Sequence, residues 1–539
     1  VARYVFDIEA DGLLDTISKV HCIVLKDIDT GEVTSCNDQP INGRNFWSVK
    51  TGVELLQQAD LVIGHNIIKY DLPAIKKVYP WFETKAQVRD TIVWTRLIWP
   101  SDILQGLDLK NPKFPGKLIG RHALEAWGWR VGERKLEYTG GWEKWSPDMQ
   151  TYCEGDVETG HKLYLTLVKH GYAEIAIQLE HDVQEVIARQ EQIGVPFDEA
   201  KAHKLYASLV QTRLEAEEEL KGLFKPWYQP GKLFTPKRDN NRTGYVAGAE
   251  MQHVELVAFN PGSRHHIADR LVKLRGWKPK AFGSDGKPTV DEKILSNLPY
   301  PEAKRLVRYL LIQKRIGQLA EGKKAMLKFV VNGRIHGEVI TNGTVTGRAA
   351  HLNPNLGQVP KVKKKGKEIL HGEAGLWGWE FRDLFYAPEG WVMVGIDASG
   401  LELRMLGNRM ARWDGGAYAN EVVNGDVHAL HASALNIERD PSKTWTYAFL
   451  YGAGDPKLGT ILKAKNPRSA GAQSRAVFQH KLPALGKLVE ACKQRHRSRK
   501  YIVGLDGRHA QTRSDHSALN TLLQCDGSIV VKFWMAALD

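Results

Sequence analysis

Cysteine is scarce in this chain of 539 residues. The five present, Cys22, Cys36, Cys153, Cys492 and Cys525, are scattered, odd in number and never spaced C-x-x-C. That excludes a disulfide framework or a zinc ribbon as the organising feature and points to a reducing, intracellular setting. Long hydrophobic runs are missing too: none approaches the roughly 18 residues that a membrane-crossing helix needs. The N-terminus lacks the charged-then-apolar pattern of a signal peptide. Val1 in place of Met fits a start inside a longer product. No segment repeats another.

The composition that remains is globular, with 42% hydrophobic and 25% charged residues. The length suits roughly two to four domains, each with its own core. Lys and Arg number 75 against 62 Asp and Glu, a net charge of +13. Such an excess is compatible with nucleic acid or another polyanion as partner.

The first ~180 residues read as α/β, with "RYVFDIE" and "ADLVIGHN" as buried strands and "HALEAWGW" and "VETGHKLYLTLV" as helices. Helical periodicity then runs to Leu220, interrupted at "GVPFD". Residues 225–247, rich in Pro, Gly, Lys, Arg and Asn, predict a loop. Helix returns through "EAKRLVRYLLIQKRIGQLAEG". After a basic run at 361–367, "GWVMVGIDASGLELRML" predicts a buried strand that breaks into a helix.

Three acidic patches stand out in the N-terminal part. Asp7 and Glu9 are two apart at a strand end, so both point to one face of the sheet. Paired carboxylates supply the hard oxygen ligands that Mg²⁺ requires. "HNIIKYD" adds Asp71, and "YCEGD" places Tyr152 and Asp156 four apart on one helix face. This set resembles the DEDD 3′–5′ exonucleases of the tyrosine subtype. The resemblance implies that Asp7, Glu9, Asp71 and Asp156 hold two metal ions while Tyr152 orients the attacking water.

The segment "RDPSKTWTYAFLYGAGD" places Arg439, Lys443, Tyr447 and Tyr451 on one face of a helix, ahead of Gly452. Asp440 followed by Pro441 reads as an N-cap and first helical residue, setting Arg439 just outside the helix and Lys443 in its first turn. Backbone donors, the positive dipole end and two cations make an anion site there. The two phenols beyond offer flat faces to a sugar and a base. A nucleoside triphosphate would lie along that face.

The spacing R-x3-K-x7-Y-G also resembles motif B, the fingers helix of the DNA polymerase I family (family A). "VGIDASGLELR" resembles its motif A. Together with "GRHALEAWGWRVGE", "LIQKRIGQLAEG" and "FLYGAGD", in that order over nearly the whole chain, they resemble the family's bacteriophage branch of the T-odd (T-seven-type) short-tailed kind. By that resemblance the fold is an RNase H-like exonuclease domain (1–180) joined to a right hand. The hand comprises a thumb (181–342, with a short basic insertion near 227–248), palm (343–405), fingers (406–503) and palm return (504–539). Asp397 and the carbonyl of Ala398 would bind two Mg²⁺ ions, and Glu402 would exclude ribose. Arg439, Lys443 and His428 would hold the phosphates, with Tyr447 and Tyr451 near the sugar and nascent pair. Arg348, Gln358, Asn520 and Gln524 would line the primer–template minor groove.

The implied activity is template-directed DNA synthesis from dNTPs with proofreading, in the cytoplasm of an infected bacterium beside helicase-primase and single-strand-binding protein. Two departures qualify it. The thumb insertion is short, which argues against a host thioredoxin partner. No H-D-E motif C follows Gln524 in the sequence as given, and the only His-Asp pair, His181-Asp182, lies far upstream in a helical stretch. The expectation is therefore a motif C outside this sequence or, alternatively, a 3′–5′ exonuclease whose inactive hand grips DNA.

Overall fold

The computed structural model describes residues 2–39, 46–134 and 136–539. The chain divides into two compact units. One comprises 1–192, 339–350 and 395–539, and the other comprises 193–338 and 351–394.

The first unit is built on a five-stranded sheet of order β3-β2-β1-β4-β5: β1 Arg3–Ala10, β2 Val20–Asp27, β3 Val33–Asn37, β4 Leu61–Gly64 and β5 Gln87–Asp90. β1 pairs antiparallel with β2 and parallel with β4. Pleating sends alternate side chains of β1 to opposite faces. Phe6, Ile8 and Ala10 therefore pack with the Val49–Gln58 and Asp71–Val78 helices, while Val5 packs with Cys153 and Val157 of the Pro147–His170 helix. That 24-residue helix starts on Ser146, whose hydroxyl accepts from the Met149 N–H, with Pro147 next and Gly171 at its end. Each is the residue its position favours.

The rest of this unit is helical. Trp445, fully buried, stacks on Phe449 with centroids 5.4 Å apart and meets Phe478 edge-on at 5.0 Å. Around it close the Leu401–Asp414, Arg439–Leu450, Pro467–Lys481, Pro483–Arg499 and Ala518–Leu538 helices.

The second unit has its own core, in which Leu209 and Leu220 of the Glu199–Leu223 helix meet Leu306 and Ile312 of Pro301–Ile316. Part of the stretch predicted as loop is a strand: Trp227–Phe234 pairs antiparallel with Met251–Val257, and the register shifts between Pro230 and Leu233. Proline cannot donate to a ladder, so it sits beside that irregularity. Its composition suggested a loop because the hairpin is exposed and has no core face to pattern it. Among the described residues no helix is long and apolar enough to cross a membrane.

Candidate active sites

The first candidate site forms at the end of β1. Asp7 and Glu9 share the face of Val5 and so lie against the Pro147–His170 helix. One ligand atom each of Asp7, Glu9 and Cys153 falls within 4.8 Å of the others. The Cys153 thiol donates to the Asp7 carbonyl at 3.5 Å and lies 3.8 Å from Asp7 Oδ2. Asp156 is buried one turn along that helix. Asp71 opens its own helix, and its carboxylate accepts the backbone N–H of Ile8 in β1. Burial pushes Asp71 well above the usual carboxylate range, and the charges of Asp90 and Asp156 push the same way. Asp71 and Asp156 are near enough to interact electrostatically, while the close ligand group among the described residues is Asp7, Glu9 and Cys153. Tyr152 packs its ring against Tyr138 at 5.6 Å and Trp142 at 6.2 Å.

Asp90 was not among the residues read from the sequence. It closes β5, caps the next helix by accepting from Ile92 N, and accepts from Asn66 N at 2.8 Å and Ile68 N at 3.1 Å. It therefore shapes the loop that delivers Asp71. Burial raises it to about 6, against the pull of those backbone donors. An aspartate ending a strand before "TIVW" was its only local signal. Crowded, oxygen-rich and acidic, the site fits a hard divalent cation.

The second candidate site is the Arg439–Leu450 helix. It begins one residue before the predicted N-cap: Glu438 is the cap, and Pro441 is the third helical residue. Lys443 consequently lies in the second turn. Proline is tolerated there because the first four N–H groups have no intrahelical acceptor. Tyr447 and Tyr451 stack with centroids 6.3 Å apart. The Tyr451 hydroxyl donates to Glu402 Oε1 at 3.3 Å, and Arg348 Nη2 donates to the same oxygen at 2.9 Å. At the other end Arg439 forms two hydrogen bonds with Asp426. Asp426 also caps the Val427–Leu435 helix through the N–H groups of His428 and Ala429. His428 packs 6.1 Å from the Tyr447 ring. Burial, then Lys443 and Arg439, hold His428 below its ordinary value. Asp426, absent from the residues singled out by spacing, thus links the predicted histidine to the predicted arginine.

The structure corrects the buried strand expected ahead of Asp397. Residues 391–397 form no strand and are exposed, Val392 at 82% and Ile396 at 63%. Among the described residues no strand pairs with this stretch, so its apolar sequence finds neither ladder nor core. The helix expected after it is present as Leu401–Asp414. Asp397 and Ala398 lie ahead of that helix, and Asp397 belongs to no group of three metal-ligating side chains among the described residues.

Arg348, Asn520 and Gln524 line one cleft of about 1040 Å³ together with Arg96, Arg121 and Arg513. Gln524 Nε2 donates to Asn520 Oδ1 at 2.9 Å. Guanidinium groups suit a phosphate backbone, and the side-chain amides suit base edges. Gln358 lies exposed in the other unit.

A sheet-borne carboxylate cluster and a cationic–aromatic helix define a nucleotide-handling protein. The model of DNA polymerase family A matches residues 240–539. The chain is 36% identical to the DNA-directed DNA polymerase of Escherichia phage T7, over 98% of this chain and 89% of that one. The figures are the same for the enzyme of Enterobacteria phage T3. The chain belongs to DNA polymerase family A, in its T7-like phage branch. Among solved structures, the POL domain of Pol1 from M. smegmatis, in complex with DNA primer-template and dNTP, shares the fold. It aligns at a TM-score of 0.66 and 16% identity, over 98% of this chain and 84% of that one.

Proposed function

We propose that this chain is a phage DNA-directed DNA polymerase that adds dNTPs to a primer 3′-OH and proofreads with a 3′–5′ exonuclease. The observation that carries the reading is the face of the Arg439–Leu450 helix, with cations at one end, stacked phenols at the other and Glu402 bonded to Tyr451. Arg439 and Lys443 bind the triphosphate, and Tyr447 and Tyr451 receive sugar and base. Glu402, fixed by Tyr451 and Arg348, sits beneath the sugar and rejects ribose. The primer 3′-OH loses its proton to water, its oxygen attacks the α-phosphorus, and the bond to pyrophosphate breaks. In the exonuclease, Asp7, Glu9, Asp71 and Asp156 would hold Mg²⁺, two ions per site, and Tyr152 would orient a water at the terminal phosphodiester. Mg²⁺ held there would make a bound water more acidic and neutralise charge on the leaving oxygen.

DNA occupies the arginine-lined cleft. The setting is the cytoplasm of the infected bacterium, beside helicase-primase and single-strand-binding protein, with thioredoxin disfavoured by the short hairpin insertion. The exposed Asp397 segment favours one second reading, an exonuclease whose hand only grips DNA. A labelled primer–template with Mg²⁺ separates them. Extension with dNTPs and shortening without them supports the polymerase, whereas shortening in both conditions supports the second reading.

A further inference from the structure

The basic run at 361–367 has no part in either candidate site. It holds five lysines in seven residues: Lys361, Lys363, Lys364, Lys365 and Lys367. In the second unit it folds as a short hairpin, in which Lys364 pairs with Ile369 and Lys365 with Glu368. Gly366 and Lys367 form the two-residue loop, with Gly366 at φ +63°, where such loops favour glycine. The root of the hairpin is fixed. The Leu370 N–H donates to the Lys363 carbonyl at 2.9 Å, and Arg382 Nε, next to the buried Phe381, donates to the Pro360 carbonyl at 3.0 Å. All five lysines are exposed, and among the described residues none of them forms an ion pair. Other cations of the unit do: Lys201 reaches Asp383 at 3.1 Å, and Arg308 reaches Glu373 at 2.6 Å.

We propose that this hairpin is a further DNA-binding surface, made of residues other than those of the arginine-lined cleft, and that it grips the phosphate backbone of duplex DNA without reading sequence. The inference rests on the DNA partnership of the proposed function and adds a surface to it. Five uncompensated charges so close together repel one another, and a polyanion relieves that repulsion while releasing its own counterions. Lysine serves a phosphate as a point charge. Residues 361–370 contain no aromatic ring to stack on a base and no side-chain amide to pair with one. The hairpin therefore suits the backbone of a duplex and lacks the stacking platform of a single-strand binder. Consecutive strand residues point to opposite faces, so one duplex meets about half of the lysines at once. Each phosphate contact adds about 0.9 to the salt slope, which gives the hairpin a share of about 2.

The test is fluorescence anisotropy of the full chain with labelled duplexes of two unrelated sequences and with a labelled single strand. EDTA prevents shortening, and binding is read over a series of salt concentrations. The variant K363Q/K364Q/K365Q/K367Q is expected to lower the slope of log K against log salt by about 2, equally for both duplexes. The matched variant K363R/K364R/K365R/K367R is expected to keep the wild-type slope, with circular dichroism and melting confirming that both variants fold. An unchanged slope in the glutamine variant overturns the proposal. So does a loss that arginine fails to restore, a loss confined to one duplex sequence, or a loss seen with the single strand and not with duplex. A wild type that binds neither duplex overturns the DNA partnership together with the hairpin, whereas tight wild-type binding with an unchanged glutamine variant overturns the hairpin alone.

Discussion

Replacing Glu180 with methionine tests how the first unit is held together. Glu180 Oε1 accepts from Arg508 Nη1 at 2.5 Å and from Lys532 Nζ, and Arg508 Nη2 also donates to Asp506 at 2.6 Å. All four groups are buried, none more than 5% exposed, and two negative charges balance two positive ones. E180M leaves two cations against one carboxylate in a place water does not reach. Breaking a buried pair from one side costs about 3–5 kcal/mol, a large share of the ~5–15 kcal/mol of a whole domain. The double variant E180M/K532M removes one charge of each sign and leaves Arg508 on Asp506. It should lose only about 1–2 kcal/mol, the hydrogen bond to Arg508 Nη1.

Urea unfolding followed by tryptophan fluorescence measures both. A single variant costing under about 1 kcal/mol, or a double variant worse than the single, would refute the charge-balance account. The pH dependence has a definite sign. Burial pushes Glu180 up, but Lys532 and Arg508 together outweigh it and hold the carboxyl below its ordinary 4.5. Its stabilising contribution is therefore complete above pH 4.5 and drains away as pH falls through the lower folded value. The gap between wild type and E180M should narrow in acid.

Asp7→Ala should abolish shortening of a labelled primer without dNTPs while extension with dNTPs persists; loss of both would count against two separate sites. Asp71→Asn should raise the melting temperature at neutral pH while stopping shortening. Its folded pKa is raised, so the stability it contributes is full below the ordinary carboxylate value and is lost as pH climbs toward the folded one. A melting temperature that falls instead would contradict the assignment. Gly452 has φ +74°, and a Cβ there would lie 2.9 Å from the His516 carbonyl oxygen. Gly452→Ala should cost about 1–2 kcal/mol and slow extension more than shortening. Glu402→Ala should release Arg348 and Tyr451 and admit ribonucleotides, read as the ratio of rNTP to dNTP incorporation; an unchanged ratio would remove Glu402 from beneath the sugar.

What the sequence alone determined is local. Strand pleat set Asp7 and Glu9 on one face, and helical periodicity aligned Tyr152 with Asp156 and Arg439 with Lys443, Tyr447 and Tyr451. Those relations depend on a repeat of two or 3.6 residues, which any reader of the chain can count. Periodicity misjudged residues 391–397, because an apolar run becomes a strand only when another strand accepts its hydrogen bonds. What only the tertiary structure decided is who meets whom across long separations. Cys153 lies beneath Asp7, 146 residues away, and Asp90 anchors the loop before Asp71. Glu180 meets Arg508 across 328 residues and Lys532 across 352. No spacing rule announces such pairs. They follow from the packing of whole helices and sheets, which brings a buried charge or thiol to the one neighbour able to satisfy it.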